Sequence, residues 1–213
     1  MIRYISFDLD GTLVKTKFAD LFWLEGLPKM YAEKKGISVE EAKSFLMKDY
    51  QSIGKDRIEW YDPSFWFKRY GLNYDWKKLI DDYRHAIEPY PDALPTLEKL
   101  KERYQLIVLS NAKIDFVEAE LEETGFRKFF SKVFSSVSHF GMVKNNAEVY
   151  IKVCSVLGIK KEEILHVGDD RVFDYEVPRS IGMRAILIDR EAKSTNDCII
   201  NSLNDLPSVL GIA

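Results

Sequence analysis

Four polar clusters in this sequence could do chemistry. Asp8 and Asp10 stand two residues apart inside the apolar run YISFDLDGTLV (4–14), just ahead of Gly11 and Thr12. Ser110 and Asn111 end the apolar run QLIVLS (105–110), and Lys144 follows GMV (141–143) shortly before a helical pattern. Asp169 and Asp170 follow EILHVG (163–168), with Asp174 one helical turn further on. If the first run is a strand, Asp8 and Asp10 share one face, because side chains alternate. Two carboxylates at roughly 4 Å repel by about 1 kcal/mol in water and about 4 kcal/mol at an effective dielectric of 20. Such a pair needs open solvent or something positive nearby. Lys144 and a divalent cation can offset it.

The elements that must position these groups follow from periodicity. After Val14 the pattern turns helical: 17–36 has apolar residues at helical spacing and stops at Gly36, and 38–50 opens with Ser38 and Glu41, a capping box. Segment 62–71 carries Pro63 at a first-turn position and ends at Gly71, and 75–87 is a further helix. From Pro91 the pattern alternates. Helices are expected over 92–104, 113–125, 146–158, 171–182 (interrupted at Pro178) and 201–211; strands over 105–110, 132–136, 163–168 and 184–189. Alternation of this kind predicts an α/β fold, a doubly wound Rossmann-like parallel-sheet core with an inserted all-helical cap. The core is residues 1–15 and 87–213, and the cap is 16–86. Links near Lys15-Thr16 and Glu88-Pro89 would make a lid hinge. In open parallel sheets ligands bind beyond the carboxyl ends of the strands, and all four clusters fall there.

Composition narrows the function classes. The 213 residues, 46% hydrophobic, suffice for a core domain with a smaller one inserted. The formal net charge is −3 and no basic run stands out, so no nucleic-acid partner is expected. No apolar run is long enough to span a membrane, and no leader pattern precedes the first strand. Cys154 and Cys198 have no metal-site spacing and read as thiols of a reducing compartment, so a cytoplasmic location is expected.

The ordered motifs FDLDGT (7–12), LSN (109–111), Lys144 and VGDDRVFD (167–174) resemble the haloacid dehalogenase superfamily, in the phosphatase branch with a helical cap after the first strand. The resemblance implies a Mg²⁺-dependent phosphatase that hydrolyses a small-molecule phosphomonoester through an aspartyl-phosphate. Asp8 would be the nucleophile, a task that suits a carboxylate because it needs no activating base. Asp10 would protonate the leaving oxygen and then deprotonate water, its pKa raised by the charge of Asp8. Gly11 lets the backbone approach the phosphate, and Thr12 helps hold the turn. Ser110 and Asn111 would donate to phosphoryl oxygens, and Lys144 would offset charge on the phosphoryl group and Asp8. Mg²⁺ would bind Asp8, the Asp10 carbonyl and Asp169. Asp174 would orient Asp169 or a metal-bound water, and Asp170 would serve there too or cap the next helix.

Departures from the family pattern are Lys144-Asn145-Asn146, where Lys-Pro is frequent, Val177-Pro178, where Gly-Ala is frequent, and Lys15 in place of an Asp. A haloacid dehalogenase attacks carbon, needs no Mg²⁺ and usually lacks the second aspartate, so Asp10 favours phosphoryl transfer. A phosphomutase would use the same residues, and a catalytically quiet phosphate-binding member would retain them. A receiver-type switch has a similar pocket, but no helical insertion after its first strand. The aromatic-rich cap, which holds all four tryptophans, reads either as a small domain's core or as a wall for an apolar or ring-shaped leaving group. His166 is expected to be structural, and His139, ahead of Lys144, is a candidate to approach substrate. The oligomeric state is not legible.

Overall fold

The structure is a computed structural model and describes residues 1–191, 195–196 and 198–212. Its centre is a parallel sheet of β1 (Tyr4–Phe7), β2 (Gln105–Ser110), β3 (Phe130–Ser135), β4 (Ile164–Gly168), β5 (Arg184–Ile188) and β6 (Ile199–Ile200). The order is β3-β2-β1-β4-β5-β6. Register is set on both sides of β1, where Ile5 pairs with Leu106 and with Leu165. Helices cover both faces, which is why the inner strands are apolar runs rather than alternating ones. The winding reverses at β1, so the crevice beyond its carboxyl end is where a ligand fits.

Between β1 and β2 the described elements are all helical. They include α1 (Lys17–Leu21), α2 (Leu27–Lys35), α3 (Val39–Ile53), α4 (Pro63–Tyr70) and α5 (Trp76–Tyr83). A π-helical turn, Phe22–Gly26, joins α1 to α2. The Ser38–Glu41 capping box opens α3, and the Asp62 carboxylate caps α4 by accepting from Ser64 N at 3.1 Å. The two links to the sheet run side by side. Lys15 N donates to Glu88 O at 2.9 Å, Tyr90 N donates to Leu13 O at 2.9 Å, and the Lys15 and Glu88 side chains pair. The remaining α-helices are α6 (Ala93–Leu100), α7 (Ile114–Glu123), α8 (Ser136–Phe140), α9 (Glu148–Leu157), α10 (Val177–Ser180) and α11 (Leu206–Val209).

Three local expectations change. Residues 171–182 form a π-helical turn, Arg171–Glu176, followed by α10, because Pro178 has no N–H to donate and the wider turn accommodates it. The short β6 and α8 were not legible, being two and five residues long. Most consequentially, β1 stops at Phe7. The Leu9 carbonyl accepts from the N–H groups of Thr12, Leu13 and Val14, winding the chain into a tight loop. Asp8 and Asp10 therefore lie past the strand and do not share a strand face.

Candidate active site

The loop after β1 aims its two aspartates at different neighbours. Asp8, 8% exposed, faces Lys144. The Lys144 ammonium, buried to 2%, donates to Asp8 Oδ1 and Asp174 Oδ1, each at 2.6 Å, and to Leu109 O at 3.2 Å. A buried charge needs this degree of compensation. Burial alone would lower the lysine, but Asp174 and Asp8 outweigh it and hold the ammonium protonated. Burial pushes the Asp8 carboxyl up, and Lys144 opposes that shift.

Asp174 is fully buried in the turn after β4. It accepts from Lys144, from Asp170 N at 3.0 Å and from His166 Nε2 at 3.0 Å, while His166 Nδ1 lies 2.9 Å from Ser6 Oγ. Burial lowers the histidine's pKa, so the neutral ring donates from Nε2 and accepts from Ser6. Burial would raise Asp174, but Lys144 and His166 hold it well below the ordinary carboxylate range. Among the described contacts Asp174 thus anchors Lys144; no hydrogen bond joins it to the Asp169 side chain. Gly168 makes the packing possible, since a Cβ there would lie 2.4 Å from Asp174 Cγ.

Asn111 Oδ1 accepts from Lys144 N at 2.9 Å and Ser136 Oγ at 2.7 Å, which fixes the loop carrying the lysine. Its Nδ2 faces the cavity and Tyr61 Oη at 3.4 Å. Ser110 Oγ accepts from Ala112 N at 3.1 Å, and its hydrogen remains available to a ligand. Asp170 caps the π-helical turn by accepting from Val172 N and Phe173 N, both at 2.9 Å, and its other oxygen pairs with Lys55 at 2.6 Å. Lys132 is exposed on β3 and does not line the cavity. His139 is spent on the backbone, its Nδ1 accepting from Ser135 N at 2.9 Å, and it does not line the cavity either.

Asp10 brings a residue that sequence reading missed. Glu120 of α7 is fully buried and faces it. With both ionised, both Glu120 oxygens and Asp10 Oδ1 lack a partner. One proton held between the two carboxyls makes a hydrogen bond instead. Burial, more than any charge, raises Asp10 to about 6 and Glu120 well above its ordinary value. The expected influence of Asp8 on Asp10 is not among the leading causes; Asp20 is the carboxylate that adds to the rise. The signal for Glu120 was an acid at helical spacing from Phe116 and Val117, on the stripe that faces the core. A group held above its unfolded value costs stability as pH climbs past that value. Glu120→Gln is therefore expected to melt above wild type at pH 8, the gap closing as pH falls toward 4.5, the ordinary glutamate value. Melting curves across that range check it.

Asp8, Asp169 and Asp174 each offer a carboxylate oxygen, and these oxygens lie within 4.8 Å of one another. The donor set is all oxygen, as a hard divalent cation requires. Asp169 is raised to about 6, chiefly by burial and then by the neighbouring Asp174. Thr12 Oγ1 donates to Asp169 Oδ1 at 3.2 Å. Gly11 has φ +76°, and a Cβ there would stand 2.3 Å from Asp169 Oδ2. Gly11→Ala is expected to displace Asp169 and raise the divalent-cation concentration for half-maximal effect at least about tenfold. A cation titration followed by thermal shift measures that.

The helical layer covers this site. Lys113 pairs with Asp62 at 2.9 Å, Lys77 with Asp115 at 2.6 Å, and Asn145 Nδ2 donates to Asp56 O at 3.3 Å. Phe116 of α7 inserts among the aromatics above it, stacked on Trp23 with ring centroids 6.0 Å apart. The aromatic residues of this layer divide by what they face. Trp66, Phe67 and Tyr70 are buried core, whereas the half-buried Trp23, Trp60 and Tyr61, with the buried Tyr50 behind them, line a cavity of about 490 Å³ that ends at Asp8.

A family model described as haloacid dehalogenase-like hydrolase matches residues 2–182. The chain is 28% identical to a glyceraldehyde 3-phosphate phosphatase of Methanocaldococcus jannaschii, over 99% of this chain and 97% of that one. It is 27% identical to the GMP/IMP nucleotidase YrfG of Escherichia coli, over 78% of this chain and 73% of the relative. The crystal structure of a HAD phosphatase from Thermococcus onnurineus superposes with a TM-score of 0.87 at 26% identity, covering 99% of this chain and 98% of that one.

Proposed function

We propose, for a chain that belongs to the haloacid dehalogenase-like hydrolases, hydrolysis of small-molecule phosphomonoesters through an aspartyl-phosphate on Asp8. The observation that carries this reading is the fully buried Lys144, which joins Asp8 to Asp174 at the closed end of a cavity that also exposes Asp10 and Asp169. Residues 1–15 and 87–213 act as the catalytic core and 16–86 as a cap that excludes bulk water.

Asp8 attacks phosphorus while Lys144 offsets charge on the phosphoryl oxygens, and Ser110 and Asn111 donate to those oxygens. Asp10, raised to about 6, gives its proton to the departing oxygen. It then takes one from the water that cleaves the aspartyl-phosphate. An acid with a pKa near the working pH can serve in both directions. Asp8, Asp169 and the Asp10 main-chain carbonyl would hold Mg²⁺, with Asp174 fixing Lys144 beside it. Bound there, Mg²⁺ supplies positive charge that lets the carboxylates and a phosphate dianion share one pocket. The second aspartate favours this chemistry over attack on carbon. A cytoplasmic setting agrees with Cys154 and Cys198, both free thiols. Among the described residues no helix is long and apolar enough to cross a membrane.

Hydrolysis of p-nitrophenyl phosphate with and without EDTA tests the reading. Turnover should vanish in EDTA and return on adding Mg²⁺. Turnover that is indifferent to chelation would overturn it.

A further inference from the structure

We infer that the cavity beneath the cap selects phosphomonoesters whose leaving group is an uncharged, ring-bearing alcohol, and that Asp20 is the residue that turns anionic leaving groups away. The inference rests on the phosphatase reading above and names its substrate class.

The cavity wall away from the phosphoryl end is mostly apolar and aromatic: Trp23, Leu24, Met47, Tyr50, Trp60 and Phe116. A cavity of about 490 Å³ is of the size that takes a drug-sized ligand. A two- or three-carbon leaving group would leave most of that wall wet. A planar ring would cover it, and flat faces such as Trp23 and Trp60 favour stacking.

The charges lining the cavity point the same way. A carboxylate or second phosphate on the leaving group would need a cation to meet it. Among the described residues the cavity offers three lysines, and each is already neutralised. Lys144 is held by Asp8 and Asp174, Lys55 by Asp170 at 2.6 Å, and Lys113 by Asp62 at 2.9 Å. Lys55 also rests against the ring of Phe173. Asp20 of α1, like Asp10 and Asp169 at the phosphoryl end, is a cavity carboxylate without a paired cation among the described residues. Its carboxylate accepts only from Thr16 Oγ1, at 2.8 Å, and no described cation pairs with it. It stands on the Asp10 side of the cavity, near where the leaving oxygen departs. There it repels an anion and accepts from a hydroxyl or amino group. A nucleoside and a simple phenol both meet these requirements, and they differ in whether they offer Asp20 a donor.

The test compares kcat/KM for guanosine 5′-monophosphate, phenyl phosphate, glycerol phosphate and phosphoglycolate. Both ring-bearing esters should exceed phosphoglycolate at least about tenfold. Guanosine monophosphate ahead of phenyl phosphate identifies the nucleoside class, and the reverse order the aryl class. In Asp20→Lys, and more weakly in Asp20→Asn, the ratio of phosphoglycolate to phenyl phosphate should rise at least about tenfold. Asp20 is exposed, so neither variant threatens folding. Phosphoglycolate or glycerol phosphate as the preferred wild-type substrate, or a ratio unmoved in Asp20→Lys, overturns the inference and leaves the phosphatase reading standing. If no ester is hydrolysed, the phosphatase reading fails, and tryptophan fluorescence still decides the pocket. Saturable quenching by guanosine monophosphate and none by phosphoglycolate supports the selectivity; any other pattern rejects it.

Discussion

Asp8→Asn is expected to lower phosphate release by at least about 10⁴-fold, the scale on which removal of a nucleophile acts. Asparagine keeps the shape and loses the nucleophilic carboxylate. The same change should not unfold the protein. Burial holds the Asp8 carboxyl above its ordinary value, so ionising it costs stability at every pH above that value. A neutral amide removes the cost, while Lys144 keeps its contact with Asp174. The melting temperature at pH 7 should therefore equal or exceed that of wild type. Activity lost from a protein at least as stable would assign the role to chemistry, a trade between stability and function that active sites often show. Activity retained would mean that another group attacks phosphorus.

Lys144→Met should be the most destabilising single change in the site. It removes the cation and leaves Asp8 and Asp174 buried beside one another. Breaking a buried pair from one side costs roughly 3–5 kcal/mol. For a chain of 213 residues that corresponds to a fall of roughly 6–20 °C in melting temperature. The pH dependence gives a second reading. Without the lysine both carboxyls are pushed above their ordinary value, so their cost appears as pH rises and is relieved as pH falls. The deficit against wild type should thus be larger at pH 8 than at pH 5. In wild type Asp174 runs the opposite way: its depressed pKa contributes stability above the unfolded value, lost only in strong acid. Scanning calorimetry at the two pH values tests both statements. A deficit below 2 °C, or one that grows toward acid, would contradict them.

Much of this was readable from the chain, and the reasons are local. Runs such as QLIVLS and ILHVG carry the signature of strands buried on both faces. Ser38 with Glu41, Pro63 and Gly36 mark helix ends through contacts a few residues long. Because the strands run parallel and end in polar clusters, the sheet alone brings Asp8, Ser110 and Asp169 to one edge, whatever the details of packing.

What the tertiary structure decided lies in contacts between distant segments. No periodicity says that Lys144 reaches Asp8 across 136 positions, or that His166 and Ser6 hold Asp174 so that it can anchor that lysine. Nor does spacing separate Asp8 from Asp10; the loop wound on the Leu9 carbonyl does, turning Asp10 toward Glu120. The aromatic residues of the helical layer were equally ambiguous, since one side-chain type serves a core or a ligand wall. Only the placement of α7, with Phe116 stacked on Trp23, leaves Trp23 and Trp60 facing the cavity while Trp66 is sealed inside. Local pattern fixes which residues stand at the ends of elements, through backbone geometry that depends on near neighbours. Which charge meets which, and so where each proton sits, depends on burial and on distances of a few ångströms between segments far apart in the chain.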